Sequence, residues 1–155
     1  VSGADTDTLR LYQDVILRHS RAPLHAQRPD RIDGSGIGDN PLCGDHVEVF
    51  VARNADGTLA QIGFEARGCA ISVASADLMA ELLHGAAPDQ IARIENAFRR
   101  MIETGPDADD GAPELETLRP LSGVHDYPSR RRCATLPWQA LLQAIASAPP
   151  NPEAP

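Results

Sequence analysis

The sequence predicts an α+β fold, a small antiparallel sheet of about three strands with helices packed on one face. Three observations predict it. Val47, Val49 and Val51 alternate with Glu48 and Phe50, and a second β-prone run, Leu59 to Ala66, follows across the turn-forming Asn54-Ala55-Asp56-Gly57. That is the pattern of a hairpin. The segments before and after it carry apolar residues at three- and four-residue steps, the helical period. Helices gathered on one side of such a sheet bury the apolar faces of both.

The elements follow in order. Asp5 to Arg21 reads as a helix, with Leu9, Tyr12, Ile16 and His19 on one face, Leu11, Val15 and Leu17 widening it, and Thr6 or Asp7 as its cap. Residues 22–42 are rich in Pro, Gly and Asp and read as loop with room for a short strand. The run Gly34-Ser35-Gly36-Ile37-Gly38 neither follows a clear strand nor opens a helix, which excludes a dinucleotide fingerprint. After the hairpin, Cys69 opens a helix to about His84, where Gly85 supplies a stop. Pro88 suits the first turn of another helix, carried by Ile91, Ile94, Phe98, Met101 and Ile102 to about Thr104. Gly105 to Pro113 reads as an acidic loop, and Leu115 to Val124 matches neither period cleanly. A last helix is expected from Thr135 to Ser147 with Pro137 in its first turn, and the proline-rich 148–155 as a disordered tail.

At 155 residues the chain fits a single domain, 1–155, large enough to fold on its own core. Only 4% of residues are aromatic, so that core is aliphatic. A net charge of −8 argues against nucleic acid as a partner, because phosphate binding needs concentrated Lys and Arg. No apolar run has the roughly 20 residues needed to span a bilayer, so no membrane partner is expected. The sequence opens with no basic-then-apolar leader pattern. Three widely spaced cysteines are an odd number in a chain that needs no disulfide framework. The expectation is a cytoplasmic protein with reduced thiols.

Each cysteine falls at an element boundary. Cys43 sits in the turn Pro41-Leu42-Cys43-Gly44-Asp45, Cys69 opens a helix, and Cys133 is expected just before another. A helix N-terminus favours thiolate, the form that binds metal and attacks sulfur. Gly44 lets Cys43 and Asp45 turn toward one centre. Three thiolates and a carboxylate would make a closed tetrahedral zinc site. No close Cys-x-x-Cys pair is present, so spacing alone does not establish a metal site and leaves a set of buried free thiols open.

The local words go further. Asp39-Asn40-Pro41-Leu42-Cys43-Gly44-Asp45, Gly68-Cys69-Ala70-Ile71-Ser72 with Ala74-Ser75-Ala76, and Tyr127-Pro128-Ser129-Arg130-Arg131-Arg132-Cys133-Ala134-Thr135-Leu136 with Trp138 resemble the three cysteine motifs of the IscU/SufU (NifU N-terminal-like) family of iron–sulfur cluster assembly proteins. Leu11-Tyr12 through His19 and Pro23 resemble its first helix. Arg132 stands where the IscU pattern has a histidine, and the Cys69–Cys133 interval is long, as in the SufU branch. The chain departs from the family after the first helix, where Pro23-Leu24-His25-Ala26 replaces Pro-Arg-Asn and a following glycine.

The resemblance implies a Zn2+ ion held by Cys43, Asp45, Cys69 and Cys133. It also implies a sulfurtransferase role, with Cys43 accepting persulfide sulfur from a SufS-type, pyridoxal-phosphate-dependent cysteine desulfurase for cluster biogenesis, and with downstream cluster-assembly proteins as further partners. Two other readings stand beside it: a scaffold that assembles a nascent iron–sulfur cluster on the same thiols, and a structural zinc module. His46 is a rival fourth ligand, but it points away from Asp45 if the strand has begun. His125 lies in a loop within range of the site. His19 and His84 are expected to be structural, His25 a surface residue and Trp138 a packing residue. Arg130 and Arg132 are candidates to anchor Asp45 or to attract an anionic persulfide or partner. The Ser72 and Ser75 hydroxyls are expected to bond within their own helix, and with no base beside them in sequence neither suits a nucleophile.

Overall fold

The structure, a computed structural model, describes residues 3–105 and 113–148. Its elements are α1 (Gly3–Arg21), β1 (Gly34–Asn40), β2 (Asp45–Arg53), β3 (Leu59–Arg67), α2 (Ala70–Leu83), α3 (Pro88–Thr104), α4 (Leu115–Leu118), a 3-10 helix (Arg119–Asp126) and α5 (Pro128–Ala146). The expected α+β fold is present, with a three-stranded antiparallel sheet in the order β1-β2-β3.

The alternation in β2 turns Asp45, Val47, Val49 and Val51 toward the helices. Val49 pairs with Phe64 and Val51 with Ile62 on β3. α5 lies on β1 and β2, α2 crosses β2 and β3, and α1 packs outside α2. Phe98 of α3 stacks on Trp138 of α5 with ring centroids 4.8 Å apart, which places Trp138 in the core as expected. Residues 22–33 cross the other face of the sheet, where Arg28 sits 4.5 Å over the Phe50 ring. No described helix is long and apolar enough to cross a membrane.

Three expectations need correction. The first helix begins at Gly3, so Thr6 and Asp7 lie inside it rather than at its cap. β1 is a full strand of seven residues in a stretch read as loop with room for only a short strand. Its glycines conceal a buried face, because Gly34, Gly36 and Gly38 point at α5. A Cβ on Gly36 would stand 2.0 Å from the Ala140 carbonyl oxygen, so only glycine lets the helix settle directly on the strand. The last helix begins at Pro128, two turns early. Pro137 is therefore interior, and Cys133 lies within the helix. The ambiguous segment 115–124 forms α4 and most of the 3-10 helix, burying Leu115, Leu118, Pro120, Leu121 and Val124. Most of the acidic loop (106–112) and of the proline-rich tail (149–155) lies outside the described residues. Ala148 is buried against Gly34.

Candidate metal centre

The centre is assembled from three chain segments at one end of the sheet. The first is the β1–β2 turn. The Asn40 carbonyl accepts from the amides of Cys43 at 3.1 Å and Gly44 at 2.9 Å, and Gly44 takes φ +72° to complete the reversal. Leu42 and Cys43 are left exposed at the tip. Asp45, the first residue of β2, turns inward and is only 2% exposed.

The second segment is the start of α2. Cys69 is the residue before the helix and is half-buried. Its backbone N–H donates to Asp45 Oδ1 at 2.7 Å, its thiol to Oδ2 at 3.4 Å, and the Ser72 hydroxyl to Oδ2 at 2.9 Å. Gly68 makes room for this carboxylate. At φ +132° it is in a region L side chains rarely adopt, and a Cβ there would meet Asp45 Oδ1 at 2.1 Å. The third segment is α5, where Cys133 is wholly buried and its thiol points to the Ser129 carbonyl at 3.6 Å.

The ligand atoms of Cys43, Asp45 and Cys133 all lie within 4.8 Å of one another, and Cys69 adjoins them through its contacts with Asp45. Three of the four residues singled out in the sequence thus converge, and Cys69 stands beside them, outside that group. Burial opposes charge on Asp45, but hydrogen bonds from the Cys133 thiol, the Cys69 amide, Ser72 and the Cys69 thiol outweigh it and hold the carboxyl below its ordinary range. Burial, and then the Asp45 carboxylate and the Cys69 thiol, push the Cys133 thiol upward. The sequence placed Cys133 at a helix start that would favour its thiolate, whereas it lies inside α5 and burial acts most strongly on its thiol. Arg130 stands close enough to feel the charge at Cys69 and to hydrogen-bond the Cys133 and Cys69 thiols, which raises its own pKa.

The other candidates sort as follows. His46 faces away from Asp45, as the strand alternation requires, and its ring meets Asp39 Oδ1 at 2.5 Å. His125 turns from the centre to the Ile102 carbonyl, 3.0 Å away. His19 is structural, its Nδ1 2.6 Å from Asp77 Oδ2, and His84 is exposed at the end of α2. His25 is half-buried and gives its backbone N–H to Asp77 Oδ1. Arg132 is exposed, beside Cys133 in sequence.

The serines were misjudged. Ser72 bonds Asp45 and lies 3.2 Å from the Cys133 carbonyl, and Ser75 donates to the Ala134 carbonyl at 2.6 Å. The cue was present: Ser72 follows Cys69 by three residues, a spacing that puts both on one helical face. Asn40 was not singled out either. It is buried under the turn, and its Oδ1 is a buried side-chain acceptor without a partner among the described residues.

Comparison with known proteins bears on this arrangement. The family model described as the NifU-like N terminal domain matches residues 11–147. The zinc-dependent sulfurtransferase SufU of Bacillus subtilis (strain 168) is 32% identical over 145 residues, spanning 92% of this chain and 93% of that protein. The iron-sulfur cluster assembly scaffold protein IscU of Streptococcus pyogenes serotype M1 is 31% identical over 135 residues, spanning 87% of this chain and 82% of that protein. The crystal structure of the N-terminal part of a nitrogen-fixing NifU-like protein from Brucella abortus superimposes with a TM-score of 0.73 at 26% identity, covering 88% of this chain and 92% of that one.

Proposed function

The chain belongs to the NifU-like N-terminal domain family, and from that membership we propose that it is a zinc-dependent sulfurtransferase of iron–sulfur cluster assembly, a single-domain cytoplasmic protein that accepts sulfur from a cysteine desulfurase. One observation carries this reading. Cys43, Asp45 and Cys133 converge within 4.8 Å, and of these three only Cys43 is exposed. An exposed thiol beside buried partners is reachable by another protein while its neighbours hold the centre together.

The donor set fits zinc. Thiolates with one carboxylate are ordinary zinc ligands, and a tetrahedral site needs four. Cys43, Asp45, Cys69 and Cys133 would hold the ion. When bound, it would supply the positive charge that stabilises thiolates in this buried setting. Arg132, at the position before Cys133, has no lone pair to offer a cation and leaves the carboxylate as fourth donor.

The transfer is thiol–disulfide exchange. The Cys43 thiolate attacks the outer sulfur of the donor's cysteine persulfide. A sulfur–sulfur bond forms at Cys43, the donor's sulfur–sulfur bond breaks, and its cysteine leaves as thiolate with no net oxidation. Arg130, beside the thiols, is placed to accompany the negative charge. A second reading, a scaffold for a nascent cluster, is favoured by the comparable identity to the IscU relative.

The test is native mass spectrometry of the purified chain followed by sulfur transfer from a pyridoxal-phosphate-dependent cysteine desulfurase. One zinc per chain, with acceptance abolished by Cys43→Ala, supports the sulfurtransferase. Normal acceptance by Cys43→Ala sinks it, and a bound iron–sulfur mass in its place favours the scaffold.

A further inference from the structure

Ser72 is wholly buried in the first turn of α2, and the sulfur-transfer reading gives it no task. Its hydroxyl nevertheless touches three of the four candidate ligand residues. It lies 2.9 Å from Asp45 Oδ2, 3.2 Å from the Cys133 carbonyl oxygen and 3.9 Å from the Cys69 sulfur. These residues come from β2, α5 and the start of α2, segments far apart in sequence.

The Cys133 carbonyl is open to Ser72 for a reason written in α5. Four residues on stands Pro137, inside the helix, which has no N–H to give it. A helical carbonyl left without its donor and buried must find another. The serine hydroxyl has one proton and faces two acceptors, the Asp45 carboxylate and this carbonyl. Ser75, one turn further along α2, also bonds α5, donating to the Ala134 carbonyl and accepting from Trp138 Nε1 at 3.2 Å. Among the described residues, Ser75 makes no hydrogen bond to Asp45. The two serines thus make similar helix–helix contacts and differ in their relation to the centre.

We propose that Ser72 is a positioning residue for the candidate metal centre, its hydroxyl orienting the Asp45 carboxylate and bracing the Cys133 turn of α5 against it. The inference rests on the metal-binding reading above. Side chains that hydrogen-bond a ligating carboxylate fix its orientation before the ion arrives, and their loss commonly weakens metal binding by about 10–100-fold. Alanine is smaller than serine and a better helix former, but Ser72→Ala leaves the Cys133 carbonyl without this partner, so Tm without zinc is expected to fall as well and the zinc-induced rise is the readout.

The experiment compares the full chain with Ser72→Ala and Ser75→Ala. Zinc affinity is measured by competition with a chromophoric chelator, and Tm with and without zinc. Ser72→Ala is expected to bind zinc about ten-fold more weakly and to show a smaller zinc-induced rise in Tm, since that rise reports binding to the folded state. Ser75→Ala is expected to lower Tm with and without zinc alike and to keep the parental affinity. Parental zinc affinity in Ser72→Ala overturns the inference while leaving the metal-binding reading intact. An equal loss of affinity in Ser75→Ala also overturns it, because packing between α2 and α5 then accounts for the effect. A parent chain that binds no zinc overturns both.

Discussion

Two carboxylates are buried among the described residues, Asp45 where the β1–β2 turn meets α2 and α5, and Asp77 in the seam between α1 and α2. They are satisfied in different ways. Asp77 is closed by its own chain, with the His19 ring at 2.6 Å on one oxygen and the His25 amide at 2.9 Å on the other. Those contacts pin α1, and the segment where the chain departs from its family's sequence, to α2. Asp45 takes an amide, a hydroxyl and thiols, all uncharged as donors, and the turn tip above it carries the exposed Cys43. A buried carboxylate met by an imidazole and an amide is a structural tie. One met by thiols, with an exposed thiol alongside, is placed to share a cation.

The largest expected effect that would break this contrast is on metal content. Asp45→Ala should lose zinc in native mass spectrometry, whereas Asp77→Ala should keep it. Zinc retained in the first variant, or lost in the second, would mean the two carboxylates do not divide the work this way. Asp77→Ala should instead lose stability. Removing both of its buried hydrogen bonds is worth on the order of 3 kcal/mol, read as a lower urea midpoint at unchanged slope.

Gly68→Ala sharpens the comparison from the side of the backbone. The new Cβ would collide with Asp45 Oδ1 in a conformation alanine resists, at a cost of about 1–3 kcal/mol. It should weaken zinc binding as well as stability, two losses that Asp77→Ala separates. Parental zinc affinity in this variant would show that the Asp45 carboxylate need not stand where it does.

The smallest effect belongs to a half-buried reference carboxylate, Glu114, paired with the exposed Arg93. Hydrogen bonds from Arg93 hold it down to about 2. A depressed carboxyl pKa contributes stability above its ordinary value near 4.5, and that contribution is lost as pH falls toward 2. Glu114→Gln should therefore flatten the pH dependence of stability slightly in that acid window, with a loss that is fullest above 4.5, vanishes toward 2, and stays small throughout because an ion pair with an exposed arginine is weak. A clear drop in Tm at neutral pH would show that α3 and α4 depend on this pair.

Much of the centre is legible in the sequence. The motifs around Cys43, Cys69 and Cys133 marked the residues, and strand alternation separated Asp45 from His46. Hairpin and helices followed from periods of two and 3.6, because one buried face leaves its trace in every repeat. β1 left no such trace. Its inward positions are Gly34, Gly36 and Gly38, and a face made of hydrogen atoms has no hydropathy to read. Cys133 was misplaced because prolines at 128 and 137 both suit a first turn, and only packing chose the earlier.

The sequence by itself determined the fold class, the order of most elements and the residue types gathered for the centre, since local periodicity and local motifs are written in consecutive residues. Tertiary structure alone decided how closely α5 lies on β1, that Asp45 receives the Cys69 amide, and that Ser72 reaches both Asp45 and a carbonyl freed by Pro137. The Asp45 and Ser72 contacts join residues 24 to 61 positions apart, and α5 meets β1 across a longer interval still. Distances of that kind depend on where whole helices come to rest against the sheet, and no single stretch of chain encodes that.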